Sequence, residues 1–256
     1  MISGALSSGR IDRVLVIPAG YPPKKDAHLQ TLAPYRFYMV QAALKNMSGC
    51  EVLPLEIVRP HPSYTVDTLR TLREEGIVGQ EDELYLIYGT DLLFEIETWY
   101  HPEVLVKEAK LLIAGRPGIR QQAVLDKVRC LEEKYSIHIS FFPIEGVCAS
   151  SSDIRARRAF SELLPPVRQF IKKHALYPED NPLQHLREDT HWRIFEYGTL
   201  LFSELSRGRL LHSLNVALLS ARYAVLFGVD PDSAVIAGLL HDCAKELPIS
   251  GQASMT

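Results

Sequence analysis

Apolar, β-branched runs recur along the first two thirds of the chain, and between them apolar positions return at helical spacing. Arg13 to Pro18, Cys50 to Leu55, Leu84 to Tyr88, Leu111 to Ala114 and Ile137 to Phe142 read as buried strands. Leu32 to Asn46, Thr65 to Glu75, Asp91 to Trp99 with the segment after it, and Gln121 to Tyr135 carry the helical period. Such alternation predicts an α/β fold with a doubly wound parallel sheet, the helices serving as crossovers. Ligands of these folds sit at the carboxyl ends of the strands, here the segments after Ile17, Leu55, Tyr88, Ala114 and Phe142.

The pattern changes after Leu176-Tyr177. Pro178-Glu179-Asp180-Asn181-Pro182 stops a helix and reads as a linker. Only helical periodicity follows: Trp192 to Leu205, Gly208 to Phe227 and Asp232 to Leu247, with Asp230-Pro231-Asp232 as a helix-start signal. The predicted organisation is an α/β domain over 1–178, a linker over 179–190 and a small all-α domain over 191–256. Three helices are thin for an independent core.

A net charge of −3 argues against a general nucleic-acid binder. The four cysteines are scattered with no Cys-x-x-Cys pair, there is no signal peptide, and the apolar runs are strand-sized, so the expectation is a reduced, cytoplasmic protein without a membrane role.

Candidate chemistry concentrates at the predicted strand ends. Cys148-Ala149-Ser150-Ser151-Ser152-Asp153-Ile154-Arg155 places consecutive hydroxyls at a helix start with an arginine on the next turn, suited to gripping a polyphosphate. Ser150 to Asp153 equally fits a capping box that needs no ligand. Pro18-Ala19-Gly20-Tyr21-Pro22-Pro23-Lys24-Lys25, His61 to Thr68, Gly89-Thr90-Asp91 and Arg116-Pro117-Gly118 fall on the same predicted edge. Each alone is an ordinary turn, and their convergence on the ligand edge is what points to a nucleotide site.

In that order and with those residues, about Arg10 to Tyr177 resembles the bacterial nicotinate-nucleotide adenylyltransferases of the nucleotidyltransferase superfamily. The serine run is similar to that family's Ile-Ser-Ser-Thr-x-x-Arg signature, with Ala149 for isoleucine and Ser152 for threonine. The resemblance implies a Rossmann-like sheet and transfer of the adenylyl group of ATP to nicotinate mononucleotide, with Mg²⁺ on the phosphates. It implies that Ser150, Ser151, Ser152 and Arg155 hold ATP phosphates and that Gly89 and Asp91 meet the nucleoside. Tyr64, Thr65, Trp99, Lys25 and Arg116 would then bind the nicotinate nucleotide. The family's Gly-Gly-Thr-Phe-Asp-Pro strand end and His-x-Gly-His motif do not occur in the chain. The expectation is therefore a sheet lacking its first strand, a chain truncated at its start, and a catalytic set without its phosphate-stabilising histidines.

In the helical part, His241-Asp242 interrupts an apolar stretch, and His212 on the preceding predicted helix offers a third ligand for a divalent metal. Lys245, one predicted turn beyond His241, is a candidate phosphate contact. Arg209-Leu210-Leu211-His212-Ser213 through His241-Asp242-Cys243-Ala244-Lys245 resembles the HD phosphohydrolases of the type that splits diadenosine tetraphosphate, with Fe²⁺ or Mn²⁺ as the metal. The later ligands of that family would lie beyond Thr256, so a truncation at this end is expected too. Three functions are thus in view: adenylyl transfer, metal-dependent hydrolysis, and a non-catalytic nucleotide-binding remnant.

Overall fold

The computed structural model describes residues 1–21, 31–115, 121–144, 151–156 and 159–246. In chain order its elements are α1 (Ile2–Ser7), β1 (Val14–Val16), α2 (Ala33–Leu44), β2 (Cys50–Val52), α3 (Thr65–Glu74), β3 (Tyr85–Gly89), α4 (Leu92–Glu95), α5 (Pro102–Glu108), β4 (Lys110–Gly115), α6 (Gln121–Tyr135) and β5 (Ile139–Pro143). The remainder is helical: α7 (Ser151–Arg155), α8 (Pro165–Lys173), α9 (Glu188–Glu204), α10 (Arg207–Phe227) and α11 (Pro231–Leu240). The chain divides into two compact units that do not follow chain order: residues 1–16, 47–51 and 64–148 in one, and 17–46, 52–63 and 149–256 in the other.

In the first unit β3, β4 and β5 pair in that order, all parallel, with α4 and α5 and then α6 as the crossovers. Leu111, Leu112, Ile113 and Ala114 of β4 are all essentially inaccessible. A strand apolar at every position rather than every second one must be covered on both faces, as parallel sheets are. One face packs on Ala5 of α1, which joins Leu112, Ala114 and Phe142 in a small core. β1 and β2 form a separate two-stranded sheet, so among the described residues the strands expected in one sheet hydrogen-bond as two groups.

The second unit has one large core. Tyr35, Phe37 and Tyr38 of α2 and Phe170 and Ile171 of α8 pack in the same cluster as Leu210, Leu214 and Ala217 of α10 and Val235 and Leu239 of α11. The three C-terminal helices are not left to bury their faces alone. The stretch expected as a linker is folded: Asn181 caps the short turn Pro182–His185 by accepting from the Leu183 N–H at 3.2 Å, and Leu183 and Leu186 enter the core. α9 begins at Glu188, before the expected Trp192.

Two expectations are corrected here. At 21 residues, α10 is by length and composition apolar enough to cross a membrane, whereas the apolar runs were expected to be too short. Its Leu210, Leu214, Ala217 and Ala221 are fully buried in the core, while Leu219, Leu226 and Phe227 are exposed. The last helix was expected to reach Leu247, but α11 ends at Leu240 and 241–246 are turns. Its start is as read: Asp230 accepts from the Asp232 and Ser233 N–H groups, and Pro231 holds the first helical position, where its missing N–H is not needed.

Candidate functional site

The pairing register sets the carboxyl ends of the three parallel strands level. Gly89 of β3 lies opposite Ala114 of β4, which lies opposite Phe142 of β5. At this edge Gly89 is buried, Asp91 is exposed as the residue preceding α4, and Thr90 between them is 4% exposed. The Thr90 Oγ1 has no hydrogen-bond partner among the described residues. An unpaired buried hydroxyl costs about 1–3 kcal/mol. Thr90 lies inside the Gly-Thr-Asp segment but received no role from the sequence, because nothing in a linear motif tells which of three turn residues is buried.

Aromatic rings gather in the same unit. Trp99, half-buried, stands edge-on to Tyr88 at 5.4 Å, next in sequence to Gly89. Tyr64 precedes α3 and lies 4.5 Å from Tyr100, which contacts His101 at 4.1 Å. Thr65 is the first residue of α3, where a backbone N–H has no partner within the helix. These groups can stack a planar ring and accept a carboxylate.

In the second unit, Ser152 and Arg155 lie one turn apart on α7, and the guanidinium donates to the serine Oγ at 3.2 Å. Both are exposed. Lys25, Arg116 and Ser150 lie outside the described residues, as does the side chain of Ser151. The turn after Ile17 is held by Arg36 of α2, which donates to the carbonyls of Ala19 and of Gly20, the latter at 2.6 Å. Burial lowers the pKa of Arg36 to about 10, partly offset by Tyr177 and Glu56, and it stays charged at neutral pH. A Cβ on Gly20 would run into the Glu56 backbone, so this close approach requires glycine.

The histidine–aspartate pair of the C-terminal helices is assembled in the same unit. His212 on α10 and His241 just past α11 face each other with their Nε2 atoms 3.2 Å apart, and Asp242 Oδ1 is 3.6 Å from His241 Nε2. One donor atom from each of the three falls within 4.8 Å of the others. With metal–nitrogen bonds of about 2.0–2.1 Å, neighbouring ligands lie about 2.8–3.0 Å apart on an octahedral ion and about 3.3–3.4 Å apart on a tetrahedral one, so the histidine pair falls between the two and fits a divalent ion. His241 Nδ1 lies 2.8 Å from the Gly238 carbonyl. A carbonyl only accepts, so Nδ1 carries the proton and Nε2 keeps its lone pair for a metal.

Asp242 is nearly inaccessible, and both of its oxygens are taken. Arg209 donates to Oδ2 at 3.0 Å and Lys245 to Oδ1 at 2.7 Å. The bond from Lys245, followed by the charges of Lys245, His241 and Arg209, lowers the Asp242 pKa against the opposing effect of burial. Lys245, expected one helical turn beyond His241, instead turns back onto the carboxylate because the helix has ended. Arg209 also pairs with Glu246 at 3.1 Å, and Glu246 accepts from the N–H and hydroxyl of Ser206, just before α10. Arg209 had no assigned role; its position three residues before His212, on the same helix face, was the available signal.

Comparison with known proteins identifies both parts. An HD domain family model matches residues 209–252. A probable nicotinate-nucleotide adenylyltransferase of Carboxydothermus hydrogenoformans is 33% identical over 178 residues, 68% of this chain and 87% of that one. A counterpart from Thermoanaerobacter is 32% identical over 179 residues, covering 68% and 84%. A solved Plasmodium falciparum nicotinic acid mononucleotide adenylyltransferase, complexed with NaAD, aligns with a TM-score of 0.52 at 20% identity over 69% of this chain and 88% of that one, which supports the fold.

Proposed function

The chain belongs to the nicotinate-nucleotide adenylyltransferase family and carries an HD domain over 209–252, and from that premise we propose that its 1–178 part serves adenylyl transfer from ATP to nicotinate mononucleotide. In that reaction a phosphate oxygen of the mononucleotide attacks the α-phosphorus of ATP. The bond to the bridging oxygen breaks, pyrophosphate leaves, and deamido-NAD forms without a covalent enzyme intermediate. The work left to the protein is positioning and charge stabilisation.

In this reading Ser150, Ser151, Ser152 and Arg155 hold the ATP phosphates, with Mg²⁺ arriving on the nucleotide. Gly89 and Asp91 contact the nucleoside. Trp99 and Tyr64 stack the pyridine ring, Thr65 donates to its carboxylate, and Lys25 and Arg116 bind the nicotinate nucleotide. The observation that supports this most is the level carboxyl edge of β3 to β5, where the buried Thr90 hydroxyl has no partner beside Gly89 and Asp91. Residues 1–256 contain no His-x-Gly-His, so the proposal assigns these residues to substrate binding and not to the histidine contribution. Calorimetric titration with nicotinate mononucleotide tests it: Thr65→Ala and Trp99→Ala should each weaken binding about tenfold with ATP affinity unchanged. Unaltered mononucleotide binding in both variants would refute the assignment. Retained binding of both nucleotides with pyrophosphate release at background would instead favour a non-catalytic role.

The 3.2 Å His212–His241 pair beside Asp242 favours a second activity, hydrolysis of a phosphoric anhydride by the 191–256 part, with diadenosine tetraphosphate and water giving two ADP. A divalent ion such as Mn²⁺ or Fe²⁺ held by His212, His241 and Asp242 would supply Lewis-acid activation of water. Arg209 holds Asp242 in place, and Lys245 is within reach of a phosphate once it leaves the carboxylate. His241→Ala should abolish Mn²⁺ binding measured by calorimetry; equal binding in the variant would sink this reading.

A further inference from the structure

We propose that Tyr100 is a positioning residue for the mononucleotide site, acting through the ring of Tyr64, and that the left-handed turn at His101 holds it there. Every residue involved lies in the first unit. The inference rests on the reading of Tyr64 and Trp99 as the rings that stack the pyridine, and it adds a residue to which that reading gives no role.

Trp99 and Tyr100 are adjacent in sequence but serve different partners. Trp99 stands edge-on to Tyr88 of β3 at 5.4 Å, whereas the Tyr100 ring lies 4.5 Å from that of Tyr64 at an interplanar angle of 34°. Tyr100 also meets the His101 imidazole at 4.1 Å and 67°. The three rings form a continuous series that is anchored at Glu103, 3.1 Å from His101 Nδ1, and ends at Tyr64, next to Thr65. A carboxylate only accepts, so His101 Nδ1 donates and the imidazole is tethered. Tyr100 is 51% exposed, so core packing does not account for the place of its ring.

His101 takes a left-handed conformation, φ 49° and ψ 58°, although it is not glycine. Pro102, at the first position of α5, disfavours the right-handed helical region for the residue before it. The helix then fixes the turn: the Val104 and Leu105 N–H groups donate to the His101 carbonyl at 3.0 and 3.1 Å, and Leu105 is fully buried. Strain at a non-glycine residue persists where the surroundings over-determine it, and it gathers at functional sites. Its consequence here is to fix the direction of Tyr100, one residue away, against Tyr64. A Tyr64 ring already ordered in the free protein loses less rotamer freedom when it stacks a substrate ring, which is worth about two- to tenfold in affinity.

Titration calorimetry of nicotinate mononucleotide into the full chain tests it. Tyr100→Ala should weaken binding about fivefold with ATP affinity unchanged, and Tyr100→Phe, which keeps the ring, should bind as the wild type does. In a Tyr64→Ala background, Tyr100→Ala should cause no further loss, because a residue acting through Tyr64 then has nothing left to position. If Tyr64→Ala weakens mononucleotide binding and Tyr100→Ala does not, the positioning proposal fails while the reading of Tyr64 stands. If Tyr64→Ala leaves binding unchanged, that reading fails and the proposal with it. Additive losses in the double variant would make Tyr100 an independent contact, and an equal loss of ATP affinity would reduce the effect to general disruption; either result overturns the proposal.

Discussion

Gly238→Ala tests whether the packing of α11 on α10 sets the geometry of the histidine pair. A Cβ built at Gly238 would lie 2.9 Å from the Ala217 Cα, 3.0 Å from the Ala217 nitrogen and 2.9 Å from the Ser220 Oγ. Ordinary carbon contacts begin at about 3.5 Å, so the deficit is about 0.6 Å. The serine can rotate away, but the Ala217 atoms are backbone and cannot, which leaves separation of the two helices as the only relief. Overpacking of this kind costs about 1–3 kcal/mol, and the better helix propensity of alanine returns up to about 1 kcal/mol. The expected net loss is about 1 kcal/mol, read as a fall of about 2–4 °C in the thermal midpoint. The same displacement carries the Gly238 carbonyl that orients His241 and widens the 3.2 Å gap to His212. Mn²⁺ affinity should therefore fall about 10- to 100-fold, the range seen when outer-shell support of a metal ligand is lost. A midpoint equal to or above the wild type, with Mn²⁺ affinity retained, would show that the close approach at Gly238 does not govern the site.

The part-buried chain in which the Tyr35 hydroxyl donates to Asn215 Oδ1 at 2.7 Å and the Asn215 amide lies 3.1 Å from His174 Nδ1 makes two further predictions. Tyr35→Phe removes the hydrogen bond to Asn215 and should cost about 1 kcal/mol in urea unfolding, leaving Asn215 Oδ1 short of a donor; no change in the midpoint would mean that the bond contributes nothing. Burial lowers the His174 pKa below 6.5, with the Asn215 bond acting in the opposite sense, so the unfolded chain takes up a proton at that site that the folded chain resists. The stability from neutral His174 is present above pH 6.5 and is lost as pH falls below it. His174→Gln should flatten the decline in stability between pH 7 and 5.5, and an unchanged slope would contradict the shift.

Periodicity and local chemistry determined much of this protein. The unbroken apolar run at Leu111 to Ala114 declared a strand covered on both faces, and Asp230-Pro231 declared a helix start, because both depend on neighbours a few residues away. The pairing of His212 with His241-Asp242 was legible because one residue interrupts an apolar face and the other two end one. Tertiary structure alone decided what depends on residues distant in sequence. Only packing shows that α2, α8, α10 and α11 share one core, since a helix displays its apolar face without naming the partner. Only the strand register makes the ends of β3, β4 and β5 level and shows that Thr90 is the buried, unpaired member of its turn. The end of α11 at Leu240 follows the same rule: the hydrophobic pattern continues toward Leu247, but bonds from Lys245 and Arg209 to Asp242, and from Ser206 to Glu246, hold 241–246 in turns. Those partners reach back as far as Ser206, beyond the range of any local pattern, and only the folded chain brings them together.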